Sequence, residues 1–175
     1  MTAQKNKILL DADVIIHFFK GGKLSMLPRI LPEYQFVLLD VVKREIPLIM
    51  MLEMDRLITV DKTIAVVQFG ATSGEVKEYA RLTSADGLAL GRGESACMVY
   101  CRYHNDVLAS SNLKDVTDYC NEHNIKYLTT VDLLFYAIQH SLMSKEEALR
   151  FIKKVVSLGS RLPEVDFDLY TCDKL

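Results

Sequence analysis

The chain has 175 residues, half of them apolar and a quarter charged, with a net charge of −2. This is a globular composition, which excludes a disordered or fibrous chain. It gives no global basic field for coating nucleic acid, yet leaves room for an enzyme with a local basic patch. No apolar run reaches the ~18 residues of a membrane span. The N-terminus has two lysines (Lys5, Lys7) but lacks the apolar segment of a secretory leader. The four cysteines (Cys97, Cys101, Cys120, Cys172) include no CxxC pair. The expectation is therefore reduced thiols in a cytoplasmic protein with no membrane association. One domain over 1–175, with a polar, acidic tail at 159–175, is the simplest organisation.

Lys7 to Asp11 reads as the first strand, an apolar run ending abruptly on an acid. Val14 to Lys20 continues as a helix that Gly21-Gly22 stops. Leu24 to Leu31 is weakly helical, with Pro28 inside it and Pro32 closing it. Gln35 to Asp40 is the second strand. Val41 to Ile46 turns helical, and Pro47 either interrupts it or opens a following helix. The apolar segment from Pro47 to Leu52 is either a dimer surface or core. Leu57 to Val60 is expected to be a short strand, and Thr63 to Phe69 is either strand or helix. Glu75 to Leu82 is helical. Leu90-Gly-Arg-Gly-Glu-Ser opens a helix reaching about Tyr103. Asp106 to Ala109 is a strand, and Asn112 caps a helix to Asn124. Ile125 to Leu128 is the last strand, Thr130 caps a helix to Ser141, and Ser144-Lys-Glu-Glu is a capping box for a helix over 145–158. Strands alternating with helices predict an α/β three-layer sandwich with a mostly parallel sheet of four to five strands.

Four acids fall just beyond strand ends or in first helical turns: Asp11, Glu45, Glu94 and Asp115. The carboxyl ends of parallel strands share one edge, so these side chains can converge there. Converging carboxylates repel unless cations separate them. Hard oxygen donors select Mg²⁺ or Mn²⁺ over zinc. Such ions activate water and stabilise the leaving oxygen in phosphodiester hydrolysis. Glu94 and Asp115 also have a plainer role, complementing a helix dipole. Asp13 is read as a helix N-cap, a second ligand, or both.

In order and setting, Ile8-Leu-Leu-Asp11-Ala-Asp13-Val-Ile-Ile, Val41-Val-Lys-Arg-Glu45-Ile, Leu90-Gly-Arg-Gly-Glu94-Ser-Ala and Val107-Leu-Ala-Ser-Ser-Asn112-Leu-Lys-Asp115-Val resemble the PIN-domain nucleases. The late segment from Ile125 through Ser144-Lys-Glu-Glu-Ala looks like that family's C-terminal part, so the resemblance runs from about residue 7 to about 158. It implies a metal-dependent ribonuclease using Mg²⁺ or Mn²⁺ on RNA. Many bacterial relatives are toxins with an antitoxin protein partner and often form homodimers. Carried over, Asp11, Glu45, Glu94 and Asp115 match the acidic quartet, with Asp11, Glu94 and Asp115 as metal ligands. Asn112 matches a polar residue three positions before the fourth acid. Asp13 stands where the family usually has Asn, Ser or Thr. Ser110-Ser111 lacks the acidic pair that some relatives carry.

Arg92 and Lys114 lead a group of cations (with Lys43, Arg44, Lys20 and Lys23) placed to hold RNA phosphates. Cys97 and Cys101 read as a buried stripe rather than a zinc site. The scattered histidines give no Ser-His-Asp arrangement. Two alternatives stand beside the nuclease. Leu9-Leu-Asp11-Ala-Asp13-Val also resembles the first motif of haloacid-dehalogenase phosphatases, with Asp11 as nucleophile and Asp13 as acid/base. The later Gly-Asp-x-x-x-Asp motif is absent. The other alternative is a catalytically weakened PIN-like scaffold that binds RNA or protein.

Overall fold

Apolar runs too short for helices become strands: β1 (Lys7–Leu10), β2 (Gln35–Leu39), β3 (Ile64–Val67), β4 (Val107–Ala109) and β5 (Tyr127–Leu128). The computed structural model describes residues 6–175; the reading of a leader rests partly on residues 1–5, which lie outside them. The strands form one sheet ordered β3-β2-β1-β4-β5, and every neighbouring pair is parallel. Ile8, Leu9 and Leu10 are fully buried in its middle, as expected of a strand covered on both faces.

The connections are α1 (Ala12–Lys20), α2 (Asp40–Lys43), α3 (Leu48–Asp55), α4 (Ser73–Thr83), α5 (Arg92–His104), α6 (Leu113–Glu122) and α7 (Thr130–Gln139), followed by α8 (Lys145–Ser157). Helix α5 lies over β1 and β2 with α4 and α6 beside it. Helix α1 packs on α8, and α8 on α7. The chain moves outward one way from β1 through β2 to β3, then crosses back to β4. Right-handed crossovers put the two helical groups on opposite faces, giving the three layers. The strand order reverses between β1 and β4, and the crevice beyond that point is where open α/β sheets bind ligands.

Several local expectations change. Leu57 to Val60 is not a strand: Arg56–Val60 is a π-helical continuation of α3, with the Asp61 N–H donating to the Arg56 carbonyl at 2.9 Å. The edge strand is Ile64–Val67 instead, because a four-residue apolar run carries no decisive period. Leu24–Arg29 is a 3₁₀ segment around Pro28. Helix α2 stops at Lys43, before Pro47, and Pro47 takes the N-cap position of α3. On α3, Met50 and Met54 are buried, while Leu48, Ile49 and Leu52 point outward. The cap of α7 is Thr129, not Thr130. Thr129 and Asp132 form a reciprocal capping box, which frees Thr130 for other bonds. Gly21 is the C-cap of α1, and the ring of Phe151 on α8 leaves no room for a side chain there; a Cβ would stand 2.0 Å from the ring.

Residues 160–175 carry no helix or strand but pack down. Phe167 is buried, and the Tyr170 hydroxyl and Lys174 Nζ each donate to buried Asp132 at 2.7 Å. Lys145 also bonds Asp168. Among the described residues, no helix is long and apolar enough to cross a membrane. All four cysteines are free thiols, and Cys97 and Cys101 are fully buried in α5.

Candidate active site

Asp11 follows the last residue of β1, and Ser110 follows the last residue of β4. Because Leu10 is paired with Ala109, the two arrive side by side. The Asp11 N–H extends the ladder to the Ala109 carbonyl at 2.9 Å. Asp11 is extended (φ −80°, ψ 156°) and is the N-cap of α1. Its Oδ1 accepts from the Ala12 N–H at 2.8 Å and its Oδ2 from the Ser110 hydroxyl at 3.0 Å. Only 5 % of the residue is exposed. Burial first, and then the neighbouring Asp13, push its pKa up to about 7; Glu45 adds to this, against the two hydrogen bonds.

Asp13 is therefore not the cap of α1. It sits in the first turn, where its Oδ1 accepts from the Val14 N–H at 2.6 Å and its Oδ2 from the Ser111 N–H at 2.8 Å. The extended backbone of Asp11 takes the cap position. Asp13 instead clasps the start of α1 to the loop after β4, and burial raises its pKa.

Glu94, in the first turn of α5, is 7 % exposed, and its buried Oε1 has no hydrogen-bond partner. Burial first, and then Asp11, Asp115 and Asp13 in that order, raise its pKa to about 8. The Asn112 amide opposes them. Asp11, Asp13 and Asp115 therefore all lie within electrostatic reach of Glu94, which brings carboxylates from three elements to one place. Asp115 is half-buried in the first turn of α6. Asn112 occupies the N-cap position of α6 but makes no capping bond. Its amide donates to Asp115 Oδ2 at 2.9 Å, because an amide N–H bonds a carboxylate more strongly than its oxygen bonds a neutral N–H.

Glu45 is exposed and lies to one side. Its Oε1 accepts from the Gly93 N–H at 2.9 Å, at the open N-terminus of α5. Gly93 permits this approach, since a Cβ there would stand 2.3 Å from Glu45 Oε2. Arg92 is exposed beside it, near enough to Tyr79 to lower its hydroxyl pKa against burial. Lys114 is exposed and lines a cavity of about 220 Å³ together with Asp115 and Asp118. The other four cations are committed elsewhere. Lys43 bonds Asp55, Arg44 bonds Asp40, Lys20 bonds Ser160, and Lys23 pairs with Glu147.

The chain matches no protein-family profile and no curated protein. Among solved structures it is similar to a PilT N-terminus domain protein of the hyperthermophilic archaeon Sulfolobus solfataricus P2, at 14% identity and a TM-score of 0.47 over 76% of this chain and 94% of that one.

Hydroxyl groups complete the site. The Ser111 hydroxyl donates to Thr130 Oγ1 at 2.9 Å and accepts from the Thr130 N–H at 2.9 Å. Thr130 Oγ1 in turn lies 2.9 Å from His17 Nδ1. Burial holds the His17 pKa down at about 4, so the ring is neutral and this chain carries no charge. It ties α7, the β4–α6 loop and α1 together behind the acids.

The donor set suits a hard divalent cation. It is all carboxylate, burial raises the pKa values of Asp11, Asp13 and Glu94, and one buried Glu94 oxygen is orphaned. Among the described residues, no group of three or more His, Cys, Asp or Glu side chains is arranged as a ready-made ion cage. An ion here would have to draw Glu94 and Asp115 toward Asp11.

Proposed function

We propose that this protein is a metal-dependent endoribonuclease of the PIN type. The observation that carries the reading is the orphaned, buried Glu94 Oε1, set among Asp11, Asp13 and Asp115 at the sheet's switch point. Such a cluster is electrostatically unfavourable without a cation. Asp11, Glu94 and Asp115 are the residues that would hold Mg²⁺ or Mn²⁺, which would supply an activated water and relief of charge on the leaving oxygen. Asp11 is the anchor, fixed by the Ala12 N–H and the Ser110 hydroxyl. Asn112 orients Asp115. Glu45 fills the N-terminus of α5 and so steadies Glu94 one residue beyond Gly93. Arg92 and Lys114, both exposed at the rim, meet RNA phosphates. RNA is the substrate, and a toxin role with an antitoxin partner and homodimerisation belongs to the same reading.

The test is cleavage of RNA by purified protein with Mn²⁺, with EDTA, and with Asp11→Asn. Metal-dependent cleavage lost in the variant supports the reading. Cleavage equal in both proteins marks a contaminant and removes it. A second reading, a scaffold that binds RNA or protein without cutting, draws on the lack of a preassembled cage among the described residues. It requires that no Mn²⁺ binding depend on Asp11. The phosphatase alternative requires an aspartyl phosphate at Asp11 and a mobile proton on Asp13, whose two oxygens are both engaged by backbone N–H groups.

A further inference from the structure

Beside the acid cluster, and separate from it, lies a cavity of about 530 Å³ between the segment 161–174 and the ends of β5 and α7. Its size falls within the ~300–1,000 Å³ typical of small-molecule sites. Ser111 lines it and also holds Asp13 through its N–H, so the cavity and the acids share the loop after β4. Its walls are Leu113, Val131, Leu162 and Val165, with the rings of Tyr127 and Tyr170. Both rings are held in place. Tyr170 donates its hydroxyl to Asp132 and meets Phe135 and Phe167 edge-on, with centroids 5.8 and 6.2 Å away. Tyr127 lies under Lys174 Nζ, 4.7 Å from its centroid. Arg161, Glu164 and Asp166 are exposed on the rim, so donors and acceptors are mixed and charge is nearly balanced.

We infer that this cavity is a nucleobase subsite that takes one unstacked base of a single-stranded RNA whose backbone runs on to the acid cluster. A balanced rim does not select a phosphate. It suits a planar ligand with apolar faces and a hydrogen-bonding edge. Rings already immobilised lose little freedom when a base packs on them. Single-stranded RNA is commonly recognised by splaying out a base onto aromatic side chains. Glu164 and Asp166 accept from an amino-bearing base edge, and Arg161 donates to its acceptors. The choice of RNA as the polymer rests on the ribonuclease reading; the cavity's affinity for a base does not.

The test is NMR titration of the full chain in EDTA with adenosine 5′-monophosphate, using ribose 5-phosphate as the probe lacking a base. The nucleotide should bind at millimolar concentration and shift the Tyr127 and Tyr170 ring signals, and the sugar phosphate should not. Tyr127→Leu should weaken binding about tenfold. Val165→Asn, on the irregular segment, puts a polar amide on the apolar wall without adding a ring and should weaken binding even if Tyr127→Leu does not fold. No nucleotide binding by the wild type, equal binding of both probes, or equal nucleotide binding by a folded variant overturns the inference. The two readings fail separately. Nucleotide binding without metal-dependent cleavage leaves the subsite and removes the ribonuclease. Cleavage without nucleotide binding does the reverse.

Discussion

Glu94→Gln should make the metal-free protein more stable at alkaline pH, although it alters a buried side chain of the candidate site. The pKa of Glu94 in the folded protein, about 8, lies above the ordinary 4.5. Between those values the folded chain keeps a proton that the unfolded chain releases, so stability falls as pH rises from about 4.5 to about 8 and stays low above it. A shift of about 3.5 units at ~1.36 kcal/mol each sets a ceiling of roughly 5 kcal/mol. Part of the shift comes from Asp11, Asp115 and Asp13, which relax and are screened by salt, so about 2–3 kcal/mol is the working figure. For a chain this size that is a rise of about 5–10 °C in Tm. The assay is thermal melting of wild type and Glu94→Gln in EDTA at pH 5 and pH 9. The variant should gain at pH 9 and differ by under ~1 kcal/mol at pH 5. With Mn²⁺ at pH 8 the order should reverse, because only the wild type would gain a ligand-bound state. A variant equally or less stable than wild type at pH 9 in EDTA would refute the reasoning, since it would show that the Glu94 charge is already compensated.

Three further perturbations test the scaffold. Ser110→Ala removes the hydroxyl that donates to Asp11 Oδ2; about 1.5–3 kcal/mol of stability should be lost at pH 8, with less loss near pH 5, and urea melts at the two pH values check it. Asp132→Ala frees Tyr170, Lys174 and the Thr129 cap at once, so about 2–4 kcal/mol should be lost, and proteolysis should cut first within 160–175. Gly21→Ala drives a methyl into the Phe151 ring; overpacking of this kind should cost about 1–3 kcal/mol, read as a lower Tm with cleavage unchanged at low temperature.

The sheet was legible because burial leaves a pattern along the chain. Ile8-Leu9-Leu10 is apolar throughout and stops on Asp11, so both the central strand and its charged end can be read directly. The capping box at Ser144 is equally local. What could not be read depends on partners far away. Nothing near Thr130 marks it as a bridge to His17, 113 residues earlier. The adjacent Thr129 satisfies the same local cap rule, and Asp132 three residues later decides between them. Ser110 and Ser111 look like a site missing its acids. In the fold they hold Asp11 and Asp13 across separations of 99 and 98 residues. The signal that could have found them is their position: two hydroxyls immediately after a central strand, at the same edge as Asp11. The strand error at Leu57 has another cause. Arg56–Val60 keeps Leu57 buried by winding α3 more loosely, and a few apolar residues fit either backbone.

Asp13 shows how the clasp and the chemistry can be told apart. Its carboxylate accepts from Val14 on one side and Ser111 on the other. Asp13→Asn keeps one acceptor but must turn an NH₂ toward one of the two N–H groups, replacing a hydrogen bond by a donor–donor contact. Leaving such a buried donor unsatisfied costs about 1–3 kcal/mol, and the strain falls on the loop 110–113 or the start of α1. The loop carries Ser110 against Asp11 and Ser111 against the cavity, so cleavage and nucleotide binding should weaken together. Asp11→Asn, by contrast, should abolish cleavage and leave nucleotide binding intact. In the phosphatase alternative the loss of Asp13 would, besides breaking this clasp, stall turnover of an aspartyl phosphate at Asp11. Measuring nucleotide affinity and metal-dependent cleavage in both variants therefore separates a residue that sets the spacing of two sites from one that takes part in the reaction. An Asp13→Asn protein that binds nucleotide as wild type does would show that the loop does not depend on the clasp.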